Sequence, residues 1–135
     1  PDALENVIRT IEEIRRPEQQ LIVLCGCGGD RDRTKRPEMA QIAVRYASLA
    51  IFTSDNPRTE SPEAILDDMV AGLEPSARYL RLVDRGEAIR TAALMAKAGD
   101  ILLLAGKGHE TYQVIGTENH HFDDKEEIRK AIECC

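Results

Sequence analysis

The 135-residue sequence has no tryptophan, only two phenylalanines and three tyrosines, four cysteines and no surplus of positive charge. Eighteen Lys and Arg against 24 Asp and Glu leave a net charge of −6. That balance argues against a nucleic-acid or anionic-membrane surface, since such partners need a cationic footprint. Any anion site must then be local. No apolar run approaches the roughly 20 residues of a membrane helix, and no basic, apolar, small-residue leader is present, so the expected setting is cytoplasmic. Cys25, Cys27, Cys134 and Cys135 are too few and too oddly placed for a secreted disulfide framework and are read as reduced thiols. Cys-x-Cys is also not the usual zinc-finger spacing, and His109, His120 and His121 fall on other elements. Two nucleotide signatures are missing as well. There is no Gly-x-x-x-x-Gly-Lys-Ser/Thr loop, and Gly26, Gly28 and Gly29 lack the Gly-x-Gly-x-x-Gly spacing.

What is present is an ordinary globular composition, 42% hydrophobic and 31% charged, in a length that fits one domain. Leu4, Val7, Ile8, Ile11 and Ile14 give residues 3–15 the spacing of an amphipathic helix that stops at Pro17. Residues 20–25 and 49–53 are continuous apolar runs of strand length, as expected of parallel strands covered on both faces. Between them Met39, Ile42, Ala43 and Tyr46 form a helical stripe entered at Pro37. Ser61-Pro62-Glu63 starts a helix that buries Ile65, Leu66, Met69 and Val70 and ends at Gly72. A third strand is expected over 78–83. Asp84-Arg85-Gly86-Glu87 is a capping box opening a helix through about Lys97, and 101–105 is a fourth strand. Residues 112–115 and 120–122, about a turn at 116–119, read as a hairpin before a last helix capped by Asp123 or Asp124. This alternation predicts a mainly parallel α/β sheet with helices on both faces and an antiparallel edge hairpin near the C-terminus.

The three loops richest in functional residue types all follow strands, and so should share the rim where open α/β sheets bind ligands. Asp55-Asn56-Pro57-Arg58 combines an acid, an amide and a guanidinium about a proline that restricts the chain, which suits a zwitterion as well as it suits an ordinary turn. The loop 26–36 joins glycines to four cations between Arg31 and Arg36. It reads either as a phosphate or carboxylate site or as a solvated turn whose charges pair with Asp30 and Asp32. Gly106-Lys107-Gly108-His109-Glu110 offers an ammonium, an imidazole that titrates near neutrality and a carboxylate suited to a substrate ammonium. No nucleophile is paired with a base.

Gly-Cys-Gly-Gly-Asp-Arg-Asp-Arg-Thr-Lys-Arg-Pro (26–37), Asp-Asn-Pro-Arg-Thr (55–59) and Gly-Lys-Gly-His-Glu (106–110), in this order, resemble the signature of the C-terminal domain of the Mur ligases. The similarity covers essentially the whole chain, from Pro1-Asp2-Ala3-Leu4 onward, and Arg58 is similar to the branch that adds meso-diaminopimelate rather than L-lysine. The resemblance implies a Rossmann-like fold and a domain, 1–135, that follows UDP-substrate and central ATPase domains. It implies an ATP-dependent peptide ligase of peptidoglycan synthesis that adds meso-diaminopimelate to UDP-N-acetylmuramoyl-L-alanyl-D-glutamate through an acyl phosphate. ATP and Mg²⁺ would be bound mainly by the central domain. Arg58 and Arg31 would hold the distal carboxylate of diaminopimelate, and Asp55, Asn56, the Gly106 backbone and Glu110 its distal ammonium. Asp30 and Lys35 would approach the nucleotide. No catalytic residue or metal ligand is expected in the chain, which would be inactive alone, and Cys134-Cys135 has no implied role. The competing expectation is a stand-alone amino-acid or nucleotide binding module, or a receiver-type domain in which Asp30, Asp55 and Lys107 imitate an acidic pocket and the glycine and arginine cluster goes unexplained.

Overall fold

Five consecutive apolar residues, Leu21–Cys25, form strand β1, and all five are buried. A run with no wet face is stable only as a strand covered on both sides. The computed structural model describes residues 2–30, 32–105, 112–115 and 117–133. In it β1 pairs in parallel with β2 (Leu49–Phe52) on one side and β4 (Ile101–Leu104) on the other, so that Val23 lies between Ala50 and Leu103. β2 in turn pairs in parallel with β3 (Tyr79–Arg81), giving the order β3-β2-β1-β4. The chain therefore winds outward from β1 to β3 and then returns to the other side of β1. That reversal creates a crevice at the carboxyl ends of the strands.

Alternation along β1 divides the interior into two layers. Leu21, Val23 and Cys25, with Ala50 and Phe52 of β2, pack against α1 (Asp2–Ile14), α2 (Lys35–Tyr46) and α3 (Pro62–Val70). Ile22, Leu24 and Ile51 pack against α4 (Arg85–Met95) and α5 (Asp124–Glu133). In α1 the expected stripe narrows: Leu4 and Ile8 are buried, whereas Ile14 at its edge is 75% exposed.

The caps follow the sequence closely. The Asp84 carboxylate accepts the Glu87 amide at 2.8 Å, and Ser61 Oγ accepts the Ala64 amide at 3.4 Å. Differences lie at boundaries and at the hairpin. α2 starts at Lys35, ahead of Pro37, and β3 is shorter than 78–83. β5 (Tyr112–Ile115) and β6 (Glu118–His121) pair antiparallel as expected, but as a two-stranded sheet of their own rather than as an extension of the four-stranded one. Gln113 nonetheless holds the hairpin to the main domain: its amide Nε2 donates to the Asp55 carbonyl at 2.7 Å and to Ser54 Oγ at 3.3 Å. That contact ties the hairpin to the loop beyond β2. Among the described residues, no helix is long and apolar enough to cross a membrane.

Candidate functional site

Parallel strands release their chain ends together, so the loops after β1 and β2 meet, and glycine sets how closely. A Cβ on Gly26 would stand 2.3 Å from the Thr53 carbonyl oxygen, and one on Gly29 would stand 1.7 Å from that of Pro57. No other residue allows the backbones this approach. Once in contact they bond: the Gly29 amide donates to the Asn56 carbonyl at 2.7 Å. Arg58 Nη1 closes the same junction, donating to Gly29 O at 3.0 Å and to Asn56 O at 3.4 Å.

Two residues of this junction are left-handed without being glycine, Asp30 at φ 55° and Arg58 at φ 53°. Such geometry is unfavourable for a residue with a Cβ and persists only where the surroundings over-determine it. They do so here. Thr59 Oγ1 donates to the Asp30 carboxylate at 2.7 Å, the Asp30 amide donates to Glu60 Oε1 at 2.7 Å, and the Glu60 amide to Pro57 O at 3.0 Å. Asn56 is buried and Asp55 half-buried at the strand end, beneath a half-buried Arg58. Asp30 and Lys35 are exposed on the neighbouring loop.

The cation-rich stretch resolves into parts. Arg33 pairs with Asp68 through Nε and Nη2 at 2.9 and 3.1 Å. Arg36 is 1% exposed and holds both Glu60 and Asp68. Their partners are thus on the segment after β2 and on α3, not the Asp30 and Asp32 that local pairing suggests. Asp32 instead accepts the Thr34 amide and hydroxyl at 3.0 and 2.7 Å, and these bonds hold its carboxyl below the usual range. Hydrogen bonds from Arg36 and the Asp30 amide do the same for Glu60, and Arg33 then Arg36 for Asp68. Arg31, Gly106, Lys107, His109 and Glu110 lie outside the described residues.

The burial of two arginines was not anticipated from the sequence. Arg36 occupies the inward register of α2 with Ala40 and Ala43, and Arg85 that of α4 with Ala88, Ile89 and Ala92. The signal was available: an arginine in step with inward alanines. Arg85 Nε and Nη2 fork onto Asp124 at 2.8 and 2.7 Å, while Nη1 donates to Ser54 O and Nη2 to Ala105 O, each at 3.2 Å. It therefore joins the carbonyls just beyond β2 and β4, which have left the sheet ladder and need donors.

Burial pushes Cys25 up to about 12 and Cys27 to about 11, so both are protonated at neutral pH. A groove of about 510 Å³ lies on the opposite rim, among Gln41, Val44, Arg45, Glu74 and Ala77. It shares no residue with the loops after β1 and β2.

This rim can be compared with known proteins. The family model described as Mur ligase, glutamate ligase domain, matches residues 1–108. The chain belongs to that family. Among Mur ligase relatives, the UDP-N-acetylmuramoyl-L-alanyl-D-glutamate–2,6-diaminopimelate ligase of Bacillus cereus is 58% identical over 98% of the chain, and that of Listeria innocua 56% identical over 98%. The chain spans about a quarter of these relatives' length, 26% and 27%. A solved structure of an enzyme with the same name superposes with a TM-score of 0.93 at 50% identity, covering 99% of the chain and 27% of the structure. A domain from a putative Haemophilus ducreyi UDP-N-acetylmuramate:L-alanyl-gamma-D-glutamyl-meso-diaminopimelate ligase shares the fold alone, with a TM-score of 0.53 at 13% identity over 96% of this chain and 82% of that one.

Proposed function

We propose that this chain is the C-terminal, amino-acid-selecting domain of an ATP-dependent Mur ligase that adds meso-diaminopimelate to UDP-N-acetylmuramoyl-L-alanyl-D-glutamate in cytoplasmic peptidoglycan synthesis. The observation that carries the reading is the junction of the loops after β1 and β2, where Arg58 is held left-handed against Gly29 and Asn56. A guanidinium presented with little freedom left to lose is suited to fork onto a carboxylate. Arg58 and Arg31 receive the distal carboxylate of diaminopimelate in this reading, and Asp55, Asn56, the Gly106 backbone and Glu110 its distal ammonium. L-Lysine keeps the ammonium but lacks the carboxylate, so it leaves the Arg58 charge without its partner. That is the basis of discrimination.

The chain has no phosphate loop of its own. ATP and Mg²⁺ belong in this reading to a preceding central domain, and the UDP-linked dipeptide to another, with Asp30 and Lys35 reaching the nucleotide from the rim. Bound there, ATP supplies activation of the dipeptide carboxylate as an acyl phosphate. This chain's residues hold diaminopimelate so that its other amine reaches the activated carbonyl. The isolated domain is accordingly inactive. The test is amide formation by the full-length protein with meso-diaminopimelate against L-lysine: preference for diaminopimelate is expected, lost in Arg58→Ala, and equal use of lysine by the unmodified protein overturns the reading.

A further inference from the structure

Arg36 lies within the cation-rich stretch yet offers substrate nothing, because it is 1% exposed and its charge is already met. Nη1 donates to Glu60 Oε2 at 3.0 Å and to Asp68 Oδ2 at 2.9 Å, while Nη2 donates to Glu60 Oε1 at 2.8 Å and to the Gly28 carbonyl at 3.1 Å. Glu60 Oε1 accepts the Asp30 amide as well. Gly28 and Glu60 are therefore bonded to one buried guanidinium, and Asp30 is tied to it through Glu60. Gly28 and Asp30 flank Gly29, whose carbonyl receives Arg58, and Glu60 lies two residues beyond Arg58. The pair thus grips both sides of the contact that orients Arg58 and spans the left-handed turn between Asn56 and Glu60.

A cation in the first turn of a helix stands at the unfavourable end of the macrodipole. Its retention there, buried, calls for a gain elsewhere. We infer that Arg36 and Glu60 are a positioning pair for amino-acid selection: they set the orientation of Arg58, and with it the enzyme's preference for an amino acid carrying a distal carboxylate. Neither touches the substrate. The proposal rests on the reading of Arg58 given above.

The experiment uses the full-length ligase and two variants, Arg36→Lys, which keeps the charge but not the fork, and Glu60→Gln, which keeps the shape but not the charge. Steady-state kinetics with meso-diaminopimelate, L-lysine and the UDP-dipeptide are measured beside thermal midpoints. The expected result is a KM for diaminopimelate raised about tenfold, the scale of one charge-assisted hydrogen bond, with a narrowed preference over lysine and an unchanged KM for the UDP-dipeptide. A merely structural pair would lower the midpoint or the amount of active enzyme and leave KM and preference alone. That result overturns the proposal, as does an equal rise in KM for every substrate. Should Arg36→Lys not fold, Glu60→Gln decides by the same criteria. If the unmodified ligase shows no preference, or Arg58→Ala changes none, the reading of Arg58 falls and the pair with it. If those two behave as expected while both pair variants match the unmodified enzyme, only the pair falls.

Discussion

Arg36 and Arg85 stand in the first turns of α2 and α4, on opposite faces of the sheet, and each is 1% exposed. Arg85 forks onto Asp124, whose side chain is 6% exposed, and it braces the chain beyond β2 and β4. Arg36 divides itself between Glu60 and Asp68, which are 26% and 24% exposed, and it braces the junction of the loops after β1 and β2. A buried pair is costly to form and costlier to halve, whereas a pair open to water keeps part of its solvation. The two devices therefore differ in kind. The Arg85 side holds the frame, and the Arg36 side tunes what the frame presents.

The strongest challenge to that contrast is Asp124→Asn. It leaves a buried guanidinium without its counter-charge and should cost about 3–5 kcal/mol in urea unfolding of the 135-residue chain. A loss no larger than that of Asp68→Asn would erase the distinction. Gly29→Ala comes next, since its Cβ meets the Pro57 carbonyl at 1.7 Å and one loop has to move. It should cost about 1–3 kcal/mol and raise KM for diaminopimelate in the full-length enzyme, because the Arg58 anchor moves with the loop. The caps sharpen the comparison at smaller scale. Asp84→Ala on α4 should cost about 1 kcal/mol, and Ser61→Ala less, because its bond is long, 3.4 Å against 2.8 Å.

Acid gives the smallest effect. Glu60 and Asp68 titrate below their ordinary range in the folded chain because Arg36 and Arg33 bond their charged forms. Their contribution is therefore complete above the ordinary carboxylate range and is lost as pH falls through the depressed values. Urea midpoints measured from neutral pH downward should decline less steeply in a Glu60→Gln, Asp68→Asn double variant than in the unmodified chain. Parallel curves would remove these carboxylates from the account.

The loops were easier to place than to interpret. Asp55 to Arg58 stood out because Pro57 and three polar groups follow an apolar run, and the strand ends do bring that tetrad beside the glycine loop. Arg58's left-handed backbone was not legible, since nothing in Asn-Pro-Arg demands it; it goes with contacts some thirty residues away, where its own guanidinium meets Gly29 and the adjacent Thr59 meets Asp30. Arg36 was read as part of a basic cluster, because charge neighbours in sequence suggest local pairing, whereas its carboxylates lie on later segments. The hairpin was legible as two strands about a turn, but neither its separation from the main sheet nor the tie from Gln113 to Ser54 and Asp55 was, because both depend on segments nearly sixty residues apart.

The sequence by itself determined the strands, helices and caps and the rim to which the polar loops return. Those follow from apolar runs, periodicity and side chains that bond within a few residues. Which arginines are buried against carboxylates and which close the junction of the loops was decided only by the tertiary structure. A guanidinium's role is set by the carboxylates and carbonyls it bonds, and for Arg36, Arg58 and Arg85 these come, Asn56 O beside Arg58 apart, from segments 8 to 39 residues distant.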